Sequence, residues 1–417
     1  MPSQHTRAVE KEIAFEEGIV VPLDLPEFRV VEQRVHPEGI LKVTIIAKRS
    51  DAFCPHCQRL CSYVHDCRER KKRDCRLRDY QVQLIVLKRR FRCTSCQRTF
   101  TEPDSACGRR RRTTRRLREA IGKAVGLRPV AQVSQEETIG PRFASTCFVE
   151  RAEAQLSKRG LSLNGEGKLP TPRYLGIDEY AIEKGHRYAT ILCDLEKRAV
   201  LETCRGRSQE EVEALLKRLD HPERVEAVSL DMSSSYAPAV RKVLPQAHLV
   251  IDHFHVIQHW MDAFRPVVSR WARKKESQIL LYRKQKLFLA ASEKLAPAQQ
   301  AERARIASHL PDLETAWKLK EELRTWYATA SVQTAESELS AWMKRVEEQG
   351  PESLRKALPT FNRWKPEILA FFRFLPTRLS NGFVEGKNNR TKTLMRQAYG
   401  YRNFAQLRLR ILIEGDL

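Results

Sequence analysis

The sequence predicts a multidomain protein of mixed α+β or α/β structure, and three features of its 417 residues lead to this prediction. Two C-x-x-C pairs lie among segments whose apolar residues alternate as in strands. Strand-like and helix-like segments then alternate between residues 173 and 255, which is typical of a mixed sheet covered by helices. From residue 256 to 375 the apolar residues recur with helical spacing.

The first segment, residues 1–108, is predicted to be a zinc-binding β domain. Residues 27–47 alternate around a central break and predict a β-hairpin, and a further strand leads into the second C-x-x-C pair. Two such pairs can hold four thiolates tetrahedrally around one structural Zn²⁺, which leaves no open position for a substrate. The predicted ligands are Cys54, Cys57, Cys93 and Cys96.

The alternative is four unligated cysteines. Cys61, Cys67, Cys75 and His65 lie between the two pairs, and we interpret them as buried or solvent-facing residues rather than ligands. The N-terminus shows no signal-peptide pattern, so we expect a cytoplasmic, reducing location, where metal ligation is favoured over disulfides.

The charge balance predicts a polyanionic partner. The formal net charge is +23, and nucleic acid is the first candidate for a chain this basic. An acidic membrane surface is the less favoured alternative, and no apolar run is long enough to span a bilayer.

Residues 109–163 are predicted to form a helix-turn-helix. An arginine-rich entry precedes three helical stretches, of which "PRFASTCFVERAEAQL" is the predicted recognition helix. The alternative is a helical connector with a solvated basic face. A Gly- and Pro-rich linker, "NGEGKLPTP", follows at residues 164–172. The residues predicted here to contact DNA are Arg109, Arg110, Arg111, Arg112, Arg115 and Arg116.

Three carboxylates are candidates for a catalytic site. Asp178 and Asp231 each end an apolar run, so we expect both at strand ends on one edge of a sheet, and Glu385 would join them from a late helix. Three carboxylates can hold two Mg²⁺ or Mn²⁺ ions roughly 3.5–4 Å apart. The alternative for each Asp is a structural cap.

Three other acids compete for this role. Glu179 should point to the opposite face of the strand from its neighbour Asp178, and Asp194 should lie at a hairpin turn. Asp252 is the strongest rival. We expect Asp252 and His255 to orient the metal ligands rather than to bind metal themselves.

The stretch that contains Glu385 is otherwise strongly basic. If it is helical, Glu385, Asn388, Asn389, Lys392 and Arg396 share one face. The carboxylate would then reach the metal ions, and its neighbours would contact DNA. The alternative is a basic surface helix in which Glu385 is an acidic residue without a function. The predicted DNA contacts are Lys387, Asn388, Arg390, Lys392 and Arg396.

Four motifs together resemble the ISL-three-type bacterial insertion-sequence transposases. They are "CPHC" with "RRFRCTSCQRTFTE", "GIDEYAIEKGHRYATILCDLEKRAVLE", "VSLDMSSSYAPAVRKVLPQAHLVIDHFHV" and "SNGFVEGKNNRTKTLMRQAYGY". The resemblance implies a ribonuclease-H-like DDE domain built from residues 173–255 and 376–417, with Asp178, Asp231 and Glu385 as its triad. It also implies a helical insertion at residues 256–375.

The activity implied by this resemblance is metal-dependent cleavage and strand transfer at terminal inverted repeats. We expect the partner to be double-stranded DNA, both terminal repeats and target, bound by a homodimer or higher oligomer. Two alternatives stay open. One is a zinc and helix-turn-helix DNA-binding regulator, which leaves the strand-end acids unexplained. The other is a catalytically inactive, transposase-derived binding protein.

Overall fold

The structure, a computed structural model, divides into two compact units, one ending at Arg151 and the other beginning at Ala152. Within the described parts of the chain, no helix combines the length and apolarity that a membrane crossing requires. The described residues are 23–104, 106–108, 110–183, 185, 187–232, 235–272, 278–398, 401 and 403–414.

A five-stranded sheet forms the core of the first unit. Its strands follow the order β1-β2-β6-β5, and β7 pairs with β6. β2 and β6 run parallel, and the other pairs are antiparallel. The predicted N-terminal hairpin is confirmed as β1 and β2. The strands of this unit are β1 Phe28–His36, β2 Ile40–Ala47, β3 Ala52–Phe53, β4 Leu60–Cys61, β5 Val64–Arg73, β6 Gln81–Arg92 and β7 Thr99–Thr101.

Three helices follow this sheet: α1 Arg115–Leu127, α2 Val130–Glu137 and α3 Pro141–Lys158. The side chain of Thr114 accepts the N–H of Leu117 and so caps α1. α1 lies very close to α3, because a Cβ on Gly122 would stand 2.7 Å from a backbone oxygen of α3. The boundary between the two units falls within α3.

A mixed sheet organises the second unit. The strand order is β10-β9-β8-β11-β12. β8, β9 and β10 form an antiparallel meander, whereas β8, β11 and β12 run parallel to one another. The predicted alternation of strands and helices is confirmed. The elements are β8 Tyr174–Glu183, β9 Arg187–Asp194, β10 Ala199–Arg205, α4 Gln209–Leu216, β11 Ala227–Leu230, α5 Tyr236–Val243 and β12 His248–Ile251.

The described residues between β12 and residue 370 are mainly helical, as their periodicity predicts. Aromatic side chains join these helices: the rings of Trp260 and Trp342 are 4.7 Å apart, and both pack against Phe361. The helices are α6 His253–Ala272, α7 Gln278–Leu289, α8 Pro297–Ala307, α9 Pro311–Thr329, α10 Ala335–Gln349, α11 Glu352–Arg355, α12 Leu358–Arg363 and α13 Lys365–Ala370.

Two final helices, α14 Gly382–Gln397 and α15 Phe404–Ile413, return to the sheet. α15 packs on β10, where the buried guanidinium of Arg408 donates to Glu202 at 2.6 Å. α14 packs on β8. This approach depends on Gly176, because a Cβ there would stand 2.7 Å from the Val384 side chain of α14. The tight packing sets the position of Glu385, one residue further along the helix.

Candidate active site and metal centres

The two C-x-x-C pairs meet in the first unit. The ligand atoms of Cys54, Cys57, Cys93 and Cys96 all lie within 4.8 Å of one another. The Sγ atoms of Cys54 and Cys96 are 3.6 Å apart, and those of Cys57 and Cys93 are 3.5 Å apart. Four sulfurs at this separation could surround one Zn²⁺ ion.

Each pair stands on the same kind of backbone turn. The N–H of Cys54 donates to Arg59 O at 2.8 Å, and the N–H of Cys93 donates to Arg98 O at 2.9 Å. The residue after the second cysteine of each pair, Gln58 or Gln97, has a left-handed backbone with φ of 59° or 56°. Cys61 is buried, Cys67 is exposed and Cys75 is half-buried, and the four-thiol group includes none of them.

In the second unit, three aspartates lie side by side at one edge of the parallel strands. Ser229 of β11 is in register with Gly176 of β8, which brings Asp231 beside Asp178. Leu230 is in register with Ile251, so Asp231 and Asp252 follow neighbouring strand ends. Asp178 itself lies within β8, because β8 continues against β9 beyond the end of β11.

Asp178 is the most enclosed member of the predicted triad, at 8% exposed. Its Oδ1 accepts the N–H of Glu179 at 2.8 Å, and its Oδ2 accepts Nδ2 of Asn388 at 2.7 Å. Burial raises the pKa of Asp178 to about 6, and the negative charges of Asp231 and Glu385 add to the rise. Asp178 therefore holds a proton more readily than an isolated aspartate does.

Glu385 lies next to His255 and Asp252. Ligand atoms of Asp252, His255 and Glu385 all lie within 4.8 Å of one another, and His255 Nε2 is 3.4 Å from Glu385 Oε1. Burial raises the pKa of Glu385, and the charge of Asp252 adds to this while His255 opposes it. A cation could be held by these three side chains.

The carboxylate of Asp252 already has several donors. Its Oδ1 accepts the N–H of Phe254 at 3.1 Å and lies 3.1 Å from Nδ1 of His253, and its Oδ2 accepts the N–H of Asn381 at 2.9 Å. Burial alone would raise the pKa of Asp252, but these hydrogen bonds outweigh burial and lower it. Of the remaining competing acids, Glu179 pairs with Arg207 and Asp194 accepts backbone N–H groups at the hairpin turn.

The residues predicted to contact DNA from α14 differ in exposure. Asn388 is 4% exposed and bonds to β8, so it does not belong to the open face of the helix. Lys387 and Arg390 both form ion pairs with Glu414. Lys392 and Arg396 are exposed.

The arginines before and at the start of α1 also divide into groups. Arg110, Arg112 and Arg115 are exposed, whereas Arg111 pairs with Glu150 at 2.9 Å. Nε of Arg116 donates to the buried Asp74 at 2.8 Å, which gives this arginine a structural role within the unit. Arg109 lies outside the described residues.

Sequence reasoning missed two residues that shape this site. Asn381 is fully buried, and its Nδ2 donates to Ile177 O at 3.0 Å while its own N–H reaches Asp252. Gly176 lets α14 approach β8. A glycine inside an apolar strand is a known mark of a close backbone approach, so "YLGID" carried this signal.

Comparison with known sequences decides the family. A transposase family profile matches residues 175–411, more than half of the chain. The chain belongs to the ISL-three-type family of insertion-sequence transposases. The matched region contains Asp178, Asp231, Asp252 and Glu385.

The chain is similar to two named transposases. It is 28% identical over 395 residues to the transposase for insertion sequence element IS1001 of Bordetella parapertussis, and the match covers 93% of this chain and 95% of that protein. It is 24% identical over 269 residues to the transposase for insertion sequence element IS1557 of Mycobacterium tuberculosis, covering 55% of this chain and 57% of that protein.

Proposed function

We propose that this transposase-family protein binds the terminal inverted repeats of its insertion sequence and catalyses metal-dependent DNA cleavage and strand transfer. The observation that carries the proposal is that Asp178 and Asp231 lie side by side on neighbouring strands and that α14, the helix of Glu385, packs on the strand of Asp178. Burial raises the pKa of Asp178, and the negative charges of Asp231 and Glu385 add to that rise.

The donor set fits a hard divalent cation. Carboxylate oxygens are preferred ligands of Mg²⁺ and Mn²⁺, and a cation would offset both the burial and the neighbouring negative charges that raise the pKa of Asp178. Two such ions, when bound, would activate an attacking hydroxyl group and stabilise the leaving oxygen.

In this proposal, Asp178, Asp231 and Glu385 are the metal ligands, and Asp252 and His255 support them. The two backbone N–H donors on Asp252 and its contact with His253 fix this carboxylate between β12 and the start of α14, which suits a residue that orients the helix of Glu385. The close group of Asp252, His255 and Glu385 supports a second assignment, in which Asp252 and His255 bind a cation directly.

The rest of the fold suits the same function. The order of the second sheet, with three antiparallel strands followed by two parallel ones, supports a ribonuclease-H-like DDE domain. Residues 256–375 would be the helical insertion in that domain. The four-cysteine group would bind one structural Zn²⁺, residues 109–163 would recognise the repeats, and a homodimer or higher oligomer would assemble on the DNA.

The test is an assay of cleavage and strand transfer on duplexes that carry the element's own terminal repeats, with Mg²⁺ or Mn²⁺. Asp178→Asn, Asp231→Asn and Glu385→Gln each keep the side-chain shape and remove a negative charge. We expect each to lower activity by several orders of magnitude with DNA binding close to that of the unsubstituted protein. Glu179→Gln is the matched control, because its carboxylate pairs with Arg207 instead.

The outcomes separate the alternatives. Activity lost in the three variants but kept in Glu179→Gln supports the proposal. Unsubstituted protein that binds the repeats but never cuts them, with either metal, would favour the inactive, binding-only protein. An active Glu385→Gln would overturn the triad.

A further inference from the structure

Asn388 lies one helical turn after Glu385 but faces the sheet instead of solvent. It is 4% exposed, and its Nδ2 donates to Asp178 Oδ2 at 2.7 Å and to Glu179 O at 3.2 Å. Its Oδ1 is buried and has no hydrogen-bond partner among the described residues. If the amide were turned the other way, the Oδ1 of Asn388 would face the Oδ2 of Asp178, and two acceptors would meet. The amide NH₂ group of Asn388 must therefore be the donor in this contact.

The effect of this donor falls on the carboxylate of Asp178. With Oδ1 held by the N–H of Glu179 and Oδ2 held by Asn388, the carboxylate cannot rotate without losing a charge-assisted hydrogen bond. One remaining lone pair on each oxygen can then point in a fixed direction. Because Asn388 and Glu385 belong to the same helix, this bond also fixes the rotation of α14 relative to β8.

We propose that Asn388 is a positioning residue that orients Asp178 and places Glu385 against it for divalent-metal binding. The inference rests on the proposed function, because it requires Asp178 and Glu385 to share a metal site. It replaces the DNA contact that the sequence predicts for Asn388. Partners that orient metal ligands typically change metal affinity by about 10–100-fold when removed.

The experiment measures Mn²⁺ affinity by titration calorimetry on the zinc-loaded full chain without DNA. Asn388→Ala is compared with Asn389→Ala, the adjacent exposed amide on the same helix. Asp178→Asn supplies the background from any other Mn²⁺ site. All six tryptophans lie between residues 260 and 364, so tryptophan fluorescence checks that the second unit is folded. Asn388→Leu fills a similar volume without a donor and serves if the Ala variant does not fold.

We expect folded Asn388→Ala or Asn388→Leu to bind Mn²⁺ about 10–100-fold more weakly and Asn389→Ala to match the unsubstituted protein. A purely structural Asn388 would lower the unfolding midpoint and leave the affinity of the folded protein unchanged, which would overturn the inference. If Asp178→Asn binds Mn²⁺ as tightly as the unsubstituted protein, the metal site in the proposed function fails, and the inference fails with it. If the Asn388 variants keep the Mn²⁺ affinity of the unsubstituted protein while Asp178→Asn lowers it, the inference about Asn388 fails and the proposed function stands.

Discussion

Replacing Gly176 with alanine should push the Glu385 helix away from the sheet. The added Cβ would lie 2.7 Å from Leu195 Cδ2, 2.7 Å from Val384 Cγ2 and 3.2 Å from Asn381 Oδ1. Leu195 can change rotamer, but Val384 is fully buried and β-branched, so it has little freedom to move. The simplest relief is a shift of α14.

The expected cost follows from overpacking in a well-packed core, which is about 1–3 kcal/mol. For a unit of this size each kcal/mol lowers the unfolding midpoint by roughly 2–4 °C, so Gly176→Ala should lower it by about 2–12 °C. Because α14 carries Glu385, the same shift should weaken divalent-metal binding.

The assay is thermal unfolding followed by tryptophan fluorescence, which reports only on the second unit because every tryptophan lies between residues 260 and 364. Gly386→Ala is the matched control on α14. Its added Cβ would meet nothing within 4 Å, and alanine is favoured over glycine inside a helix by about 0.5–1 kcal/mol. The control should therefore raise the midpoint. If Gly176→Ala also left the midpoint unchanged or raised it, the close approach of α14 to β8 would be wrong.

Three further predictions test other parts of the structure. Metal analysis should find one Zn²⁺ per chain. The Cys54→Ser variant should lose this zinc, and the Cys67→Ser variant should keep it because Cys67 is exposed and lies outside the four-thiol group. Equal zinc contents in the two variants would contradict the four-thiol site. A plot of the logarithm of the DNA association constant against the logarithm of the salt concentration should have a slope of about −5 if about six phosphates are contacted. Removing the charge of Arg110, Arg112 or Arg115 should make that slope less steep by about 1 for each arginine. Arg116→Gln should instead lower stability by removing the partner of the buried Asp74. The pKa of Asp178 rises from 3.8 to about 6, so the folded state binds the proton more tightly and stability should fall as pH rises from about 4 to 6. In metal-free buffer the loss, measured by urea unfolding, should reach up to about 3 kcal/mol and be absent in Asp178→Asn.

The strands and helices with a buried apolar face could be predicted from the sequence, because burial imposes the alternation or helical spacing. β5 could not, since most of its side chains are exposed and carry no apolar pattern. The capping box at the start of α4 depends only on Ser208 and Glu211, so the start of this helix is specified locally by the sequence.

The parts of the site that depend on tertiary contacts were beyond sequence reasoning. Helical spacing places Asn388 and Asn389 side by side, but only the packing of α14 on β8 turns one toward Asp178 and leaves the other exposed. Arg116 looks like its neighbours in an arginine block, and its partner Asp74 lies about forty residues earlier. Asp178 seemed to end its strand because the apolar run stops there, whereas pairing with β9 extends β8 to Glu183.

We propose that Asp178, Asp231 and Glu385 hold the catalytic metal ions. The most direct measurement is the anomalous scattering of Mn²⁺ in crystals of the protein bound to its terminal-repeat DNA. We expect Mn²⁺ peaks within about 2.0–2.3 Å of carboxylate oxygens of Asp178, Asp231 and Glu385. A peak bound by Asp252, His255 and Glu385, with Asp178 and Asp231 left outside its coordination sphere, would contradict this proposal.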